Sequence, residues 1–274
     1  MSARTDLAID EQQHFSEDTE GIECQKRTEK GICITTVQVK TPSAEKRIGK
    51  PRGTYVTLEI DPLRQKKPQA FTDSVQILSK QINTLLREKD EILVVCLGNE
   101  AVTPDAVGPL TMRNLIVTRH LKRLMRGMLP DFAAVSAVEP GVLGTTGIES
   151  AEAVRAIAQK INPKQLIVID ALATNEPSRI CATVQLTDTG ITPGSGVGNR
   201  REAFDYEHFG IPVLAIGVPT VVDAAPLFPE QEGMIVIPRD IDASVREIAR
   251  LIGYALNLTL HKDLRPEDIA CFLP

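Results

Sequence analysis

The chain has 274 residues, of which 42% are hydrophobic and 24% are charged, a composition that supports one large or two small globular domains. The formal net charge of -5 disfavours direct nucleic-acid binding, because nucleic-acid-binding surfaces are usually basic. The five cysteines show neither a CxxC pair nor metal-ligand spacing, and no apolar run reaches the ~18 residues that span a membrane. We therefore expect a cytoplasmic protein that needs no cofactor and binds neither membranes nor nucleic acid.

The N-terminal part of the chain predicts a short β region ahead of the main fold. Residues 1–30 are polar and indicate an extended arm. Residues 32–39 and 54–60 are rich in β-branched residues and predict two strands, separated by a basic loop that contains turn-forming residues. A helix with one apolar face is predicted to start at residue 73 or 74 and to end at residue 89.

Beyond residue 90, predicted strands alternate with predicted helices. The strands are expected at 91–98, 132–138, 166–172, 182–188 and 211–217, and the helices at about 105–125, 148–159 and 240–257. Several of these strands are nearly continuous apolar runs, as expected for strands that are buried on both faces. The pattern predicts an α/β fold: one domain with a mostly parallel sheet, helices on both faces, and an N-terminal β extension over residues 32–60.

Two aspartates fall at the ends of predicted parallel strands. Asp105 follows strand 91–98 through a loop, and Asp170 comes directly after the apolar start of strand 166–172. Because ligands bind beyond the carboxyl ends of parallel strands, neighbouring strands would bring both carboxylates into one crevice. Two close carboxylates can share a proton, so that the ionised one activates water while the protonated one hydrogen-bonds the carbonyl group and then assists the leaving amine. Each aspartate also has a structural interpretation, as a helix N-cap or a hydrogen-bonded loop residue.

A glycine-rich loop follows the strand predicted at 182–188. Its glycines, Gly194, Gly196 and Gly198, predict either a plain surface loop or a loop that lets a peptide backbone approach closely. The loop has neither a P-loop pattern nor the GxSxG context of a nucleophilic serine. His208 lies shortly after it, so a metal site built from this histidine and the two aspartates stays open as an alternative.

Several segments resemble the germination protease family of spore-forming bacteria. These segments are 98–109, 139–150, 168–174, 188–201 and 211–224, and residues 4–10 resemble the N-terminal processing region of that family. A more distant similarity, a Gly-Asn pair followed by an aspartate, is to the hydrogenase maturation endopeptidases, which share the predicted sheet architecture. The resemblance implies a homotetrameric endopeptidase of the forespore or spore core, which degrades small acid-soluble spore proteins during germination and is made as a self-processing zymogen.

The resemblance also assigns residues. It implies that Asp105 and Asp170 are the catalytic acids and that the enzyme cuts after an acidic residue, before an apolar residue followed by alanine. Asp6-Leu7-Ala8 has this form, so self-cleavage is predicted between Asp6 and Leu7, with residues 1–6 as a pro-segment ahead of a peptidase domain over 7–274. The alternative is that these residues are simply a docked arm.

Recognition of an acidic residue before the cut suggests a positively charged pocket, for which Arg179, Arg200 and Arg201 are candidates. Asn99 and the three glycines of the glycine-rich loop are predicted to bind the substrate. The pro-segment is short for the family, which leaves zymogen control open. A metal-assisted endopeptidase and a catalytically silent peptide-binding relative remain as alternative functions.

Overall fold

Nine strands form one sheet in the computed structural model, which describes residues 5–12, 20–67, 69–125, 131–198, 201–223 and 234–273. The strands are β1 (Ile22–Glu29), β2 (Ile32–Val39), β3 (Gly53–Glu59), β4 (Glu91–Cys96), β5 (Ala134–Val138), β6 (Gln165–Thr174), β7 (Thr183–Thr187), β8 (Val213–Asp223) and β9 (Ile235–Val236). Their order is β1-β2-β3-β7-β8-β6-β4-β5, and β9 pairs with β8.

Eleven α-helices lie in the described residues. They are α1 (Ala8–Gln12), α2 (Pro42–Ile48), α3 (Asp61–Arg64), α4 (Ala70–Leu85), α5 (Val107–Met112), α6 (Arg119–Leu124), α7 (Leu143–Thr146), α8 (Ser150–Ile161), α9 (Tyr206–Phe209), α10 (Ile241–Leu260) and α11 (Pro266–Ile269). Short 3₁₀ turns cover Thr103–Asp105, Pro177–Arg179 and Ser195–Val197. Within the described ranges, no helix is both long enough and apolar enough to cross a membrane.

The α/β class predicted from the sequence is confirmed, and the parallel part of the sheet holds β6, which contains Asp170, and β4, whose following loop leads to Asp105. Strands β4, β5, β6 and β8 pair in parallel. The sheet as a whole is mixed, because β7 pairs antiparallel with β8 and the N-terminal strands continue the sheet beyond β7, also antiparallel. The N-terminal β extension is therefore part of the same sheet.

Alternate residues of β4 show how both faces of the sheet are buried. Val94 and Cys96 belong to a large apolar cluster that includes residues of α4 and α10. Leu93 and Val95 belong to a second cluster on the opposite face, with residues of α8 and with Phe204. Helices thus cover both faces, which explains why this strand is an apolar run rather than an alternating one.

Three local predictions differ from the structure. The expected arm over 1–30 includes strand β1, whose side chains are mostly exposed and therefore lack an apolar pattern. The loop expected before residue 54 contains α2, which has a Thr41 N-cap and ends at Gly49 in the left-handed conformation. The helix expected over 105–125 is divided into α5 and α6, and in the break between them the Ile116 N–H donates to the Asn257 side chain at 2.9 Å.

Candidate active site

The pairing of β4 with β6 decides where the two aspartates meet. These strands are parallel neighbours, with Cys96 opposite Ile169 in the last pair of the ladder. One residue further, the Leu97 N–H donates to the Ile169 carbonyl at 2.9 Å. The loop after β4 therefore begins beside Asp170, the next residue of β6.

That loop folds back on itself and so returns Asp105 to the end of the strand. The Asn99 N–H donates to the Asp105 carbonyl at 3.1 Å, and the Asp105 N–H donates to the Val102 carbonyl at 2.7 Å. Gly98 has φ of +116°, and a Cβ atom placed on it would lie 1.9 Å from the carbonyl oxygen of Asp105. Glycine is required here both for the backbone conformation and for this close approach.

Asp105 and Asp170 both line one cleft of about 540 Å³. Much of its wall is apolar, with contributions from Val102, Leu143 and Ile237. The structure thus brings together the two aspartates that the sequence placed at one edge of the sheet. A cleft of this size, with an apolar lining and a few converging polar groups, is typical of a substrate site.

The surroundings of the two carboxyl groups separate their pKa values. Burial raises the pKa of Asp105 to about 6, although hydrogen bonding from the Asn99 backbone opposes this increase. Burial also raises the pKa of Asp170 well above its usual range, and the negative charges of Asp105 and then Asp6 raise it further. The Ala171 N–H, which donates to the Asp170 carboxylate at 2.9 Å, opposes that increase. Both carboxyl groups therefore keep a proton to higher pH than an ordinary aspartate does, and only for Asp170 does the charge of the other aspartate add to the effect of burial.

The N-terminal segment enters the same cleft. Asp6 lines it, and the Asp6 N–H donates to the Ala173 carbonyl of β6 at 3.0 Å. The carboxylate of Asp6 accepts hydrogen bonds from the Ala173 N–H at 2.9 Å and from the Ser195 hydroxyl at 2.6 Å. A Cβ atom placed on Gly196 would lie 2.1 Å from this carboxylate, so a side chain at that position would displace it.

Residues on the C-terminal side of Asp6 fix the segment to the domain. Leu7 is fully buried and packs in a small apolar cluster that includes Leu172. The buried carboxylate of Asp10 forms an ion pair with Arg179 and accepts a hydrogen bond from the Thr174 hydroxyl at 2.9 Å. The predicted cleavage site is therefore held on both sides, which is compatible with either a docked arm or a self-substrate.

The positively charged pocket expected from the arginines is not formed as predicted. Arg179 pairs with Asp10, on the other side of the predicted cut, so its assignment to the residue before the cut is wrong. Arg201 lines the cleft and pairs with Glu149 at 3.3 Å. Arg200 lies outside the described residues.

The other predicted substrate-binding residues fall into two groups. Gly194 lines the cleft, and Gly196 packs against the Asp6 carboxylate. Gly198 ends the 3₁₀ turn with φ of +74°, and Asn99 accepts a hydrogen bond from the Ala101 N–H at 3.0 Å within its own loop. Neither Gly198 nor Asn99 lines the cleft, so their roles in the structure are to shape the two loops.

The metal alternative needed His208 beside the two aspartates. His208 lies instead on α9, where its ring nitrogen is 2.7 Å from the Asp205 carboxylate, and it does not line the cleft. In the part of the chain that the structure describes, no three His, Cys, Asp or Glu side chains are grouped so that they could hold a metal ion. The structure therefore does not assemble the hypothetical ligand set with His208.

Sequence reasoning missed the groups that hold Asp6. Its carboxylate is bound by a backbone N–H and a serine hydroxyl, for which the sequence carries no charge signal. Lys50 and Gln185 contact the backbone of the same residue. The available signals are weak: Gln185 is one of three polar residues in β7, and Lys50 is one of several cations in its part of the chain.

Comparison with known proteins shows which proteins this chain is similar to. A family model described as "Germination protease" matches residues 2–230. The chain is 35% identical to a germination protease of Caldanaerobacter subterraneus subsp. tengcongensis, over 98% of this chain and 97% of that one. It is also 35% identical to a germination protease of Clostridium tetani over the full length of both chains, and 44% identical to one of Geobacillus sp. over 81% of this chain and 64% of that one.

Together, the cleft at the end of the parallel strands and these matches define the class of the protein as a peptidase. More particularly, the chain belongs to the germination protease family. Among solved structures, a [NiFe] hydrogenase maturation protease HycI from Thermococcus kodakarensis KOD1 aligns with 64% of this chain and 98% of its own, at 17% identity and a TM-score of 0.35.

Proposed function

We propose that the chain is an endopeptidase in which Asp105 and Asp170 act together on a water molecule. The observation that carries this proposal is the pair itself: two carboxyl groups in one cleft, Asp105 with its pKa raised to about 6 by burial and Asp170 with its pKa raised well above its usual range by burial and by the charge of Asp105. Titratable groups whose environments separate their pKa values are suited to be base and acid at the same pH.

The chemical step needs no other group to balance it. Asp105, as the base, accepts a proton from water while the water oxygen bonds to the carbonyl carbon of the substrate. The C–N bond then breaks, and the leaving nitrogen takes the proton held by Asp170. The products are a carboxylic acid and an amine, and a proton transfer from Asp105 to Asp170 restores the starting state. General acid-base catalysis of this kind contributes about 10²- to 10⁴-fold to a rate.

We further propose that the substrates are the small acid-soluble spore proteins, cut after an acidic residue in the spore core by a homotetramer. Support for the acidic preference comes from Asp6, whose carboxylate occupies a position bounded by the Ala173 N–H, the Ser195 hydroxyl and Gly196. An acidic side chain of a bound substrate would accept the same two hydrogen bonds. A disordered substrate suits the cleft, because an extended chain has to enter it.

Self-cleavage between Asp6 and Leu7 is part of the same proposal. The Asp6-Leu7-Ala8 segment has the family form, and Asp6 lines the cleft that holds Asp105 and Asp170. In the uncut chain, the segment would occupy the site that a spore protein needs. Removal of residues 1–6 would then open the site, as expected for a zymogen.

Two substitutions test the dyad. We expect Asp105→Asn and Asp170→Asn each to slow both self-cleavage and digestion of a purified spore protein by about 10²- to 10⁴-fold. Asp90→Asn, at an exposed aspartate before β4, is the matched control and should retain the wild-type rate. N-terminal sequencing of the aged wild type should give a chain that starts at Leu7.

Several outcomes would contradict the proposal. Wild-type rates in both dyad variants would reject the aspartate mechanism, and a new N-terminus other than Leu7 would reject the cleavage site. Loss of activity in EDTA, restored by a divalent metal, would favour the metal-assisted alternative. Binding of the spore protein without any cleavage would favour the silent peptide-binding alternative.

A further inference from the structure

The carbonyl oxygen of Asp6 has two side-chain donors. Lys50 donates through its Nζ atom to this oxygen at 3.0 Å, and Gln185 donates through Nε2 at 3.3 Å. This oxygen belongs to the peptide bond between Asp6 and Leu7. If that bond is the one cut, both donors already contact the atom on which negative charge develops.

Both donors are held in place by other contacts. The amide oxygen of Gln185 accepts a hydrogen bond from the Ala8 N–H at 2.7 Å, so its NH₂ group is turned towards Asp6. Lys50 also donates to the Thr5 carbonyl at 3.3 Å, and it follows directly after Gly49, where α2 ends. A second cavity, of about 550 Å³, is lined by Lys50, Gln185 and Asp6, whereas Asp105 and Asp170 line the first cleft.

We propose that Lys50 and Gln185 stabilise the oxyanion that forms when water adds to the carbonyl carbon of the residue before the cut. This inference rests on the proposed cleavage between Asp6 and Leu7. It assigns separate roles around one peptide group: the aspartate pair handles the protons, and Lys50 and Gln185 bind the carbonyl oxygen. The Lys50 distance of 3.0 Å lies within the range of about 2.7–3.1 Å that is typical of oxyanion donors.

The alternative is that Lys50 merely ties the N-terminal segment to the domain. The two roles differ in what the substitution changes. A tether holds the ground state, so its loss undocks the segment. An oxyanion donor acts most strongly in the transition state, so its loss slows the reaction while the segment stays docked.

The experiment measures self-cleavage of the full chain, by mass spectrometry over time, in Lys50→Met and Lys50→Arg. Docking is measured separately by hydrogen exchange of residues 5–10 in chains that also carry Asp170→Asn, so that no cleavage interferes. We expect Lys50→Met to cleave itself about 10²- to 10³-fold more slowly, the usual effect of removing one oxyanion donor, with unchanged exchange protection. Lys50→Arg keeps the charge and should recover at least about tenfold of the lost rate.

Two controls accompany this pair. Lys46→Met removes an exposed lysine of α2 and should leave the cleavage rate unchanged. Gln185→Glu keeps the acceptor for the Ala8 N–H but replaces the NH₂ donor by a negative charge, and it should slow cleavage at least about tenfold.

The proposal is overturned if Lys50→Met cleaves itself within about twofold of the wild-type rate. It is equally overturned if cleavage slows while exchange protection of residues 5–10 is lost, because Lys50 would then be a tether. A wild type that never cuts after Asp6 rejects this inference together with the self-cleavage proposal. Normal self-cleavage in Asp170→Asn rejects the role of the aspartate pair instead. The self-cleavage rate of Lys50→Met then still decides the role of Lys50.

Discussion

Asp6 and Ala173 are joined by two hydrogen bonds, one from the Asp6 N–H to the Ala173 carbonyl at 3.0 Å and one from the Ala173 N–H to the Asp6 carboxylate at 2.9 Å. The β4 ladder along β6 ends at Ile169, so Asp6 docks on β6 beyond the end of β4. Between these two points lies Asp170. A peptide that pairs with β6 as Asp6 does would therefore lie alongside the aspartate pair. It would extend the pairing of β6, as a strand that is added to a sheet.

The pKa of Asp105 predicts how activity depends on pH. Asp105 must be ionised to act as a base, and its pKa is about 6, so kcat/KM should rise about tenfold per pH unit below 6 and level off above it. Asp170 must keep its proton, and its raised pKa places the loss of activity on the alkaline side. The measurement is kcat/KM on an acidic-site peptide from about pH 4.5 to about pH 9. A rate that falls as pH rises through 6 would mean that Asp105 acts as the acid.

Ser195 is predicted to contribute to the choice of an acidic residue before the cut. Its hydroxyl donates to the Asp6 carboxylate at 2.6 Å, and a hydrogen bond to a charged group is worth about 1.5–3 kcal/mol. Because Ser195 is exposed, we expect the low end of this range, so Ser195→Ala should lower kcat/KM about tenfold for a peptide with aspartate at that position.

Two comparisons make the Ser195 experiment specific. A peptide with alanine in place of the aspartate should be affected less than about twofold by Ser195→Ala, because it has no carboxylate to bind. Ser43→Ala, at an exposed serine of α2, should leave both peptides unaffected. An equal loss on both peptides would show that Ser195 acts on the loop and not on the acidic side chain.

Gly98 is predicted to be essential for the position of Asp105. Gly98→Ala would place a methyl group 1.9 Å from the Asp105 carbonyl and would also force alanine into φ of +116°. We expect a loss of activity of at least about 10²-fold, because Asp105 would have to move away from Asp170.

The control for Gly98 is Gly210→Ala. Gly210 also has a positive φ, of +69°, but a Cβ atom there would meet nothing within 4 Å, so this variant isolates backbone strain from the steric contact. It should cost about 1 kcal/mol of stability and leave activity intact. Equal activity in the two variants would refute the proposed role of Gly98.

The Asp170 carboxyl group is predicted to lower the free energy of unfolding at neutral pH. The pKa of this carboxyl is higher in the folded chain than the ordinary value of 3.8, so the folded chain binds more protons, and stability falls as pH rises above about 4. Asp170→Asn removes this penalty. At pH 7 its thermal midpoint should exceed that of the wild type, by about 2–4 °C for each kcal/mol gained. The difference should shrink below pH 4, and a lower midpoint at pH 7 would contradict the pKa assignment.

The aspartate pair could be located from the sequence because it depends on topology alone. Apolar runs identified β4 and β6 as buried parallel strands, and the ends of such strands share one edge. The partner of Arg179 could not be found in this way. Asp10 lies 169 positions away, so no local pattern in the sequence links the two residues.

The other differences between the sequence predictions and the structure have similar physical causes. Strand β1 lies at the exposed edge of the sheet and carries few apolar residues, so hydrophobic periodicity does not reveal it. Lys50 belongs to a loop in which several cations are equally plausible from sequence. Only the three-dimensional path of the N-terminal segment shows that Lys50, and not an arginine, meets the carbonyl group of Asp6.

The burial of Leu7 implies that the proposed cleavage is followed by a structural change that does not reverse. In the intact chain the Leu7 N–H donates to the Thr5 hydroxyl at 3.1 Å, and the Leu7 side chain is shielded from water. Cleavage would turn this amide nitrogen into an ammonium group, and taking an ion out of water costs several kcal/mol. The new terminus would have to swing out towards solvent and could not settle back as before. A single cleavage would therefore cause a lasting displacement of the new N-terminus beside the active site.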